Sequence, residues 1–183
     1  MNGLHTLLIL GAVFAAVFVE ASFNGFRHYL GAQVDFLPAL LVYTGLTKDF
    51  YTIVLAAVCG GIWFDSFSLN PLGLSVLPLL LIGLVAHRGR ELLWSGSFTS
   101  QFFLAAAASA LQPLAALFIL LNLGKPPLLG WKSIWQWLVM AAGGGLFAPF
   151  CFAVFKRLHN AFDYQPAHQA AFRPDRQIKR GRF

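Results

Sequence analysis

Charge is scarce in this chain. Its 183 residues hold thirteen Lys and Arg and seven Asp and Glu, 11% in all, where an ordinary globular domain carries about 25%. A soluble protein of this size cannot cover its surface with so few charges, which excludes a free globular domain. Cysteine is scarce too: Cys59 and Cys151 both lie inside apolar runs, so no disulfide framework is implied. Chemical signatures are missing altogether, with no P-loop, HExxH, CxxC or nucleophile elbow. His5, His28, His87, His159 and His168 fall at predicted span ends, in loops or in the tail, none at metal-ligand spacing from a carboxylate or cysteine. Gly143, Gly145 and Ala148 formally match G-x-G-x-x-A. That fingerprint has meaning only between a strand and a helix N-terminus, and here it lies in a long apolar run. No catalytic, cofactor-binding or metal-binding residue is expected, and no nucleic-acid partner.

What the chain has in abundance is apolar residues, 58% of the total, with a mean hydropathy of +0.68. The expected fold class is an all-α integral membrane protein, a single transmembrane domain over residues 1–158 resident in the lipid bilayer. Six helices are expected, at about 4–19, 36–46, 50–67, 72–86, 98–121 and 133–155. The first has no Lys or Arg before it, and a secretory signal needs a basic leading region, so it reads as a retained span. The second follows Asp35, which can cap its free N–H groups, and carries Pro38 in its first turn. Its apolar run of 36–46 is shorter than the roughly 20 residues a full span wants. The third holds Ala56 and Gly60, and Ala57 and Gly61, at the four-residue spacing that lets helix backbones approach in lipid. In the fifth, AAAASA at 105–110 reads as a smooth packing face. The sixth starts beside Trp131, Trp135 and Trp137, as an interfacial aromatic belt does, and Gly143–Gly145 with Pro149 predict a bend.

Orientation follows from the basic residues. With six spans and an inner N-terminus, Lys48, Arg88, Arg90 and the seven Lys and Arg from Lys156 onward lie inside, ten in all. Arg27, Lys125 and Lys132 lie outside. Both ends are expected in the cytoplasm. Residues 159–183 are polar and basic, with Pro166 and Pro174, and read as a disordered tail. It either meets anionic headgroups or merely fixes topology.

Asp65 needs an account, because a carboxylate inside a membrane costs about 2.5–3.5 kcal/mol on the insertion scale. It stands near the end of the third helix, and DSFSLN (65–70) sets several hydrogen-bonding side chains in a row before Pro71. The reading is a polar turn near the outer interface with Asp65 hydrogen-bonded inside it. Glu20, Asp35, Asp49 and Glu91 all lie near predicted helix ends, which leaves few partners for a proton or ion relay.

Asp35 opening a short helix, the stretch ALLVYTGLTKDFYTIVLAAVCGGIWFDSFS and the following NPLGL together resemble the rod shape-determining protein MreD family of bacteria. The likeness covers about residues 33–90, a third of the chain. It rests on Asp35, Lys48, Gly60, Gly61, Asp65, Pro71, Leu72 and Gly73; the candidate family-motif and partner-contact residues are Asp35, Gly60, Gly61, Asp65, Asn70, Pro71, Leu72 and Gly73. The resemblance implies a non-enzymatic subunit of the cell-elongation machinery of the bacterial inner membrane. Its partners would be MreC directly, and MreB, RodA and a class B penicillin-binding protein in the same complex. It also implies a six-helix bundle resembling the substrate-binding subunits of energy-coupling-factor vitamin transporters. Such a subunit is the alternative function, and Ala12 and Ala16 on the first helix match the small pair with which it docks its partner.

Overall fold

A computed structural model describes residues 3–22, 25–68, 71–90, 98–124 and 130–162. Every regular element among them is helical: α1 (Gly3–Ser22), α2 (Gly25–Leu30), α3 (Leu37–Thr47), α4 (Phe50–Phe67), α5 (Val76–Arg88), α6 (Phe98–Asn122) and α7 (Trp131–Phe162). Four of them, α1, α4, α6 and α7, are long and apolar enough to cross a membrane, whereas α3 and α5 are shorter apolar helices.

Packing fixes their directions. Thr6 meets Thr52 and Gly60 faces Val13, so α1 and α4 run parallel. Gly61 faces Val76 and Gly83 faces Ile53, so α4 and α5 are antiparallel. Gly144 faces Ser109 and Gly145 faces Phe102, making α6 and α7 an antiparallel pair. Phe36 packs on Phe147 and Tyr43 on Phe152 and Phe155, so α3 and α7 are parallel. With α2 set aside as a six-residue connector, the other six helices alternate in direction along the chain. Lys48, Arg88, Arg90, Lys156 and Arg157 gather at one end, and Glu20, Asp35, Asp65 and Lys132 at the other.

The short α3 is the centre of the bundle. Ten of its eleven residues, Leu37 to Leu46, are buried, as expected of a helix that is apolar on every side. At about 1.5 Å per residue it is roughly 16 Å long, well short of a hydrocarbon layer of about 30 Å. Its neighbours α1, α4, α5, α6 and α7 surround it. Ile9, Val13 and Val17 of α1, Ile53 and Ala56 of α4, Leu79 and Ile82 of α5, and Cys151 and Phe155 of α7 complete the core. Small residues permit the tightest crossings: a Cβ on Gly45 would lie 2.6 Å from the Gly83 carbonyl oxygen. The alanine run of α6 lies on Gly144 and Gly145 of α7, with Ala105 and Ala148 both fully buried.

Several boundaries differ from the sequence reading. The helix expected from residue 72 starts at Val76, because Pro71 to Ser75 form a turn with Gly73 at φ 89°, a backbone region that suits glycine. The last helix extends past residue 158 to Phe162, four residues into the expected tail. No Gly or Pro interrupts KRLHNAF, and its basic residues suit a helix C-terminus. Gly143–Gly145 and Pro149, where a bend is expected, lie within this one continuous helix. The connector α2 has no counterpart among the expected helices. Residues 163–183 lie outside the described residues.

Candidate functional site

Two buried polar clusters stand at the same end of the bundle. The first joins α4 to α5. Asp65 is 1% exposed. Its Oδ2 accepts the Ser75 backbone N–H at 3.0 Å and its Oδ1 accepts the Ser75 hydroxyl at 2.6 Å. Ser75 is the N-cap of α5 and makes no cap bond with its own side chain. The carboxylate ten residues earlier therefore satisfies a donor at this helix start and places negative charge where the helix dipole favours it. Gly61, one turn before Asp65, makes the approach possible: a Cβ there would lie 2.8 Å from both the N and Cα of Val76. The polar turn expected at Asp65 is thus a lock between two helices.

The motif residues divide accordingly. Gly60 and Gly61 are buried, Pro71 is half-buried, and Leu72 and Gly73 are exposed at the tip of the turn. Asn70 lies outside the described residues. Lys48 caps α3 at the opposite end, its N–H donating to the Thr44 carbonyl.

The second cluster is not legible as a cluster in the sequence. Asp35 is fully buried, and its Oδ1 accepts the Leu37 N–H at 2.9 Å, tying down the first turn of α3 as its position before Pro38 suggests. Glu20, near the end of α1, accepts from Gln33 Nε2 at 2.9 Å and lies close enough to Asp35 for the two carboxylates to repel. Gln112 of α6, 4% exposed, sets its amide against the Asp35 carboxylate. Gln136 of α7 holds the Gln33 backbone from both sides, accepting its N–H at 3.0 Å and donating to its carbonyl at 2.8 Å. Five polar side chains from three helices and one connecting segment converge here. Glu20 Oε2, Asp35 Oδ2 and Gln112 Oε1 are buried without a hydrogen-bond partner, as is Ser109 Oγ one turn before Gln112.

Among the described histidines, His87 is not simply solvated: its Nδ1 lies 3.2 Å from the Gly45 carbonyl oxygen, beside the tight α3–α5 crossing. No group of three or more His, Cys, Asp and Glu gathers in metal-binding reach among the described residues.

The class these features define is an all-helical membrane protein with buried polar clusters at one end of its bundle. Comparison with protein families, curated proteins and solved structures finds no match to this chain.

Proposed function

We propose that this protein is a non-enzymatic scaffold of the bacterial cell-elongation machinery, binding MreC and supporting lateral peptidoglycan synthesis beside MreB, RodA and a class B penicillin-binding protein. The chain passes through the inner membrane six times, the short α3 making its pass inside the bundle, shielded from lipid by the helices around it, and both termini are cytoplasmic. The alternating helix directions and the gathering of basic residues at one end support that topology.

One observation carries the functional reading. Of the residues that bear the resemblance to the MreD family, Gly61, Asp65 and the turn Pro71–Gly73 belong to one unit that joins α4 to α5. Gly61 and Asp65 are bound up in the contact with Val76 and Ser75. Leu72, 72% exposed, is held outward at the tip of the turn. An apolar side chain presented at the tip of a turn suits contact with another membrane segment. Broad apolar faces on α6 and α7, with Phe103, Phe118, Leu146 and Phe150 exposed, suit lipid or partner helices. Depleting the protein in its rod-shaped host should produce round cells, and Leu72→Asp should reproduce that shape at unchanged protein level. Cells that keep their rods on depletion would refute the reading.

A second reading, the substrate-binding subunit of a vitamin transporter, gains from the Glu20–Asp35–Gln112 cluster, since a ligand headgroup needs buried polar groups. Against it, the docking pair is engaged within the chain. Ala16 is buried in the core and Ala12 packs against it.

A further inference from the structure

We infer that the outer face of α5 binds an anionic phospholipid, with the phosphate at Arg88 and an acyl chain along Leu77, Leu81 and Val85. The inference is independent of the scaffold function. Leu77, Leu81 and Val85 are 53%, 50% and 66% exposed, and Arg88 is exposed as well. At 3.6 residues per turn, the step from Leu77 to Arg88 is about 20° more than three full turns, so all four share one face. The opposite face holds the buried Leu79, Ile82, Gly83 and Ala86, with Gly83 against Ile53 of α4 and Ala86 against Gly45 of α3. Along the helix the strip is about 16 Å long, close to half of a hydrocarbon layer of about 30 Å. Its length therefore suits one acyl chain running from the headgroup level to the bilayer midplane.

Charge selects the lipid. The Gly89 N–H donates to the Val85 carbonyl at 2.9 Å, which keeps Arg88 in the last helical turn. His87 Nδ1, 3.2 Å from the Gly45 carbonyl oxygen, seats that turn on the last turn of α3, and Lys48 follows directly after α3. Lys156 and Arg157 come next to Phe155, whose ring stacks on Tyr43 of α3 at 4.5 Å. With Arg90 these make five cations at one end of the bundle, against the single carboxylate of Asp49 among the described residues there. Such a field draws an anionic headgroup, whereas a zwitterionic lipid brings an ammonium that it repels. Arginine adds paired N–H donors that fit two oxygens of one phosphate. In the proposed topology this end meets the cytoplasmic leaflet.

The test is thermal unfolding of the full-length protein in a neutral detergent, titrated with phosphatidylglycerol, phosphatidylcholine or inorganic phosphate at constant ionic strength. Phosphatidylglycerol should raise the midpoint saturably, while phosphatidylcholine and inorganic phosphate leave it unchanged. Arg88→Gln should raise the half-effect concentration about fivefold, the worth of one basic residue near an anionic surface. Leu81→Ser, which makes the strip polar without touching the charge, should raise it too. Both side chains are exposed, so neither variant opens the core. Lys132→Gln, at the opposite end, should respond as the wild type does. An equal rise with phosphatidylcholine overturns the proposal, since the strip would then take lipid of any charge. An equal rise with inorganic phosphate overturns it by reducing the site to a free-anion patch. A full phosphatidylglycerol response in either Arg88→Gln or Leu81→Ser also overturns it, and assigns the lipid to another part of the chain.

Discussion

Replacing Asp65 separates a structural lock from a surface that needs charge. The carboxylate makes two bonds to Ser75, one to the backbone N–H at 3.0 Å and one to the hydroxyl at 2.6 Å. Hydrogen bonds to a charged group contribute about 1.5–3 kcal/mol each. Asp65→Leu removes both acceptors and leaves the Ser75 N–H at a buried helix start without a partner, at a cost of about 3–6 kcal/mol. Asp65→Asn can keep both contacts, its oxygen accepting the N–H while its amide donates to the Ser75 hydroxyl. What it loses is the charge against the α5 dipole, about 0.3–1 kcal/mol. Ser75→Ala removes only the hydroxyl bond and should fall between the two. Thermal unfolding in detergent, with protein level in the membrane as a second reading, should rank the wild type first. Asp65→Asn should follow, then Ser75→Ala, with Asp65→Leu the least stable. Equal damage from Asp65→Asn and Asp65→Leu would refute the lock and show that the charge itself is required.

Other perturbations follow from the same contacts. Gly61→Ala should cost about 1–3 kcal/mol through overpacking, since the new methyl meets the Val76 backbone. Gly60→Ala should cost less, because it meets only the side-chain ends of Val13 and Leu37, and paired melting curves compare them directly. Gln136→Leu should free the Gln33 peptide and speed amide hydrogen exchange there, with little effect at Ser75. Reporters fused after Phe183 and inserted near Arg90 should be active only in the cytoplasm, and a periplasmic signal at the C-terminus would contradict an even number of spans.

Local chemistry makes part of this fold legible. The helix Phe50–Phe67 can be read at both ends, since Lys48 and Asp49 break the apolar run before it and a polar turn follows it. The small-residue spacing at Ala56, Gly60, Ala57 and Gly61 points to close packing, and all four are buried. Pro71 resembles a helix start, yet Gly73 at positive φ and the Asp65 bond to Ser75 move the start of α5 to Val76. That bond spans ten residues, and no local pattern names its partner. The Glu20–Asp35 cluster is harder still. Each acid, taken alone, marks a helix end, and the contact between Gln33 and Gln136 joins positions 103 apart. One signal is available: Gln112 and Gln136 are lone amides within apolar runs, and polar residues in such runs tend to face the bundle interior. They point inward without saying to what.

The proposed role, holding other membrane segments of the elongation machinery together, is open to mild-detergent purification of the tagged full-length protein from its own host, with MreC quantified against an unrelated tagged membrane protein. Strong enrichment of MreC is expected for the wild type, and its loss for Leu72→Asp at equal bait level. Background levels of MreC together with enrichment of an ATP-driven transporter module would contradict it.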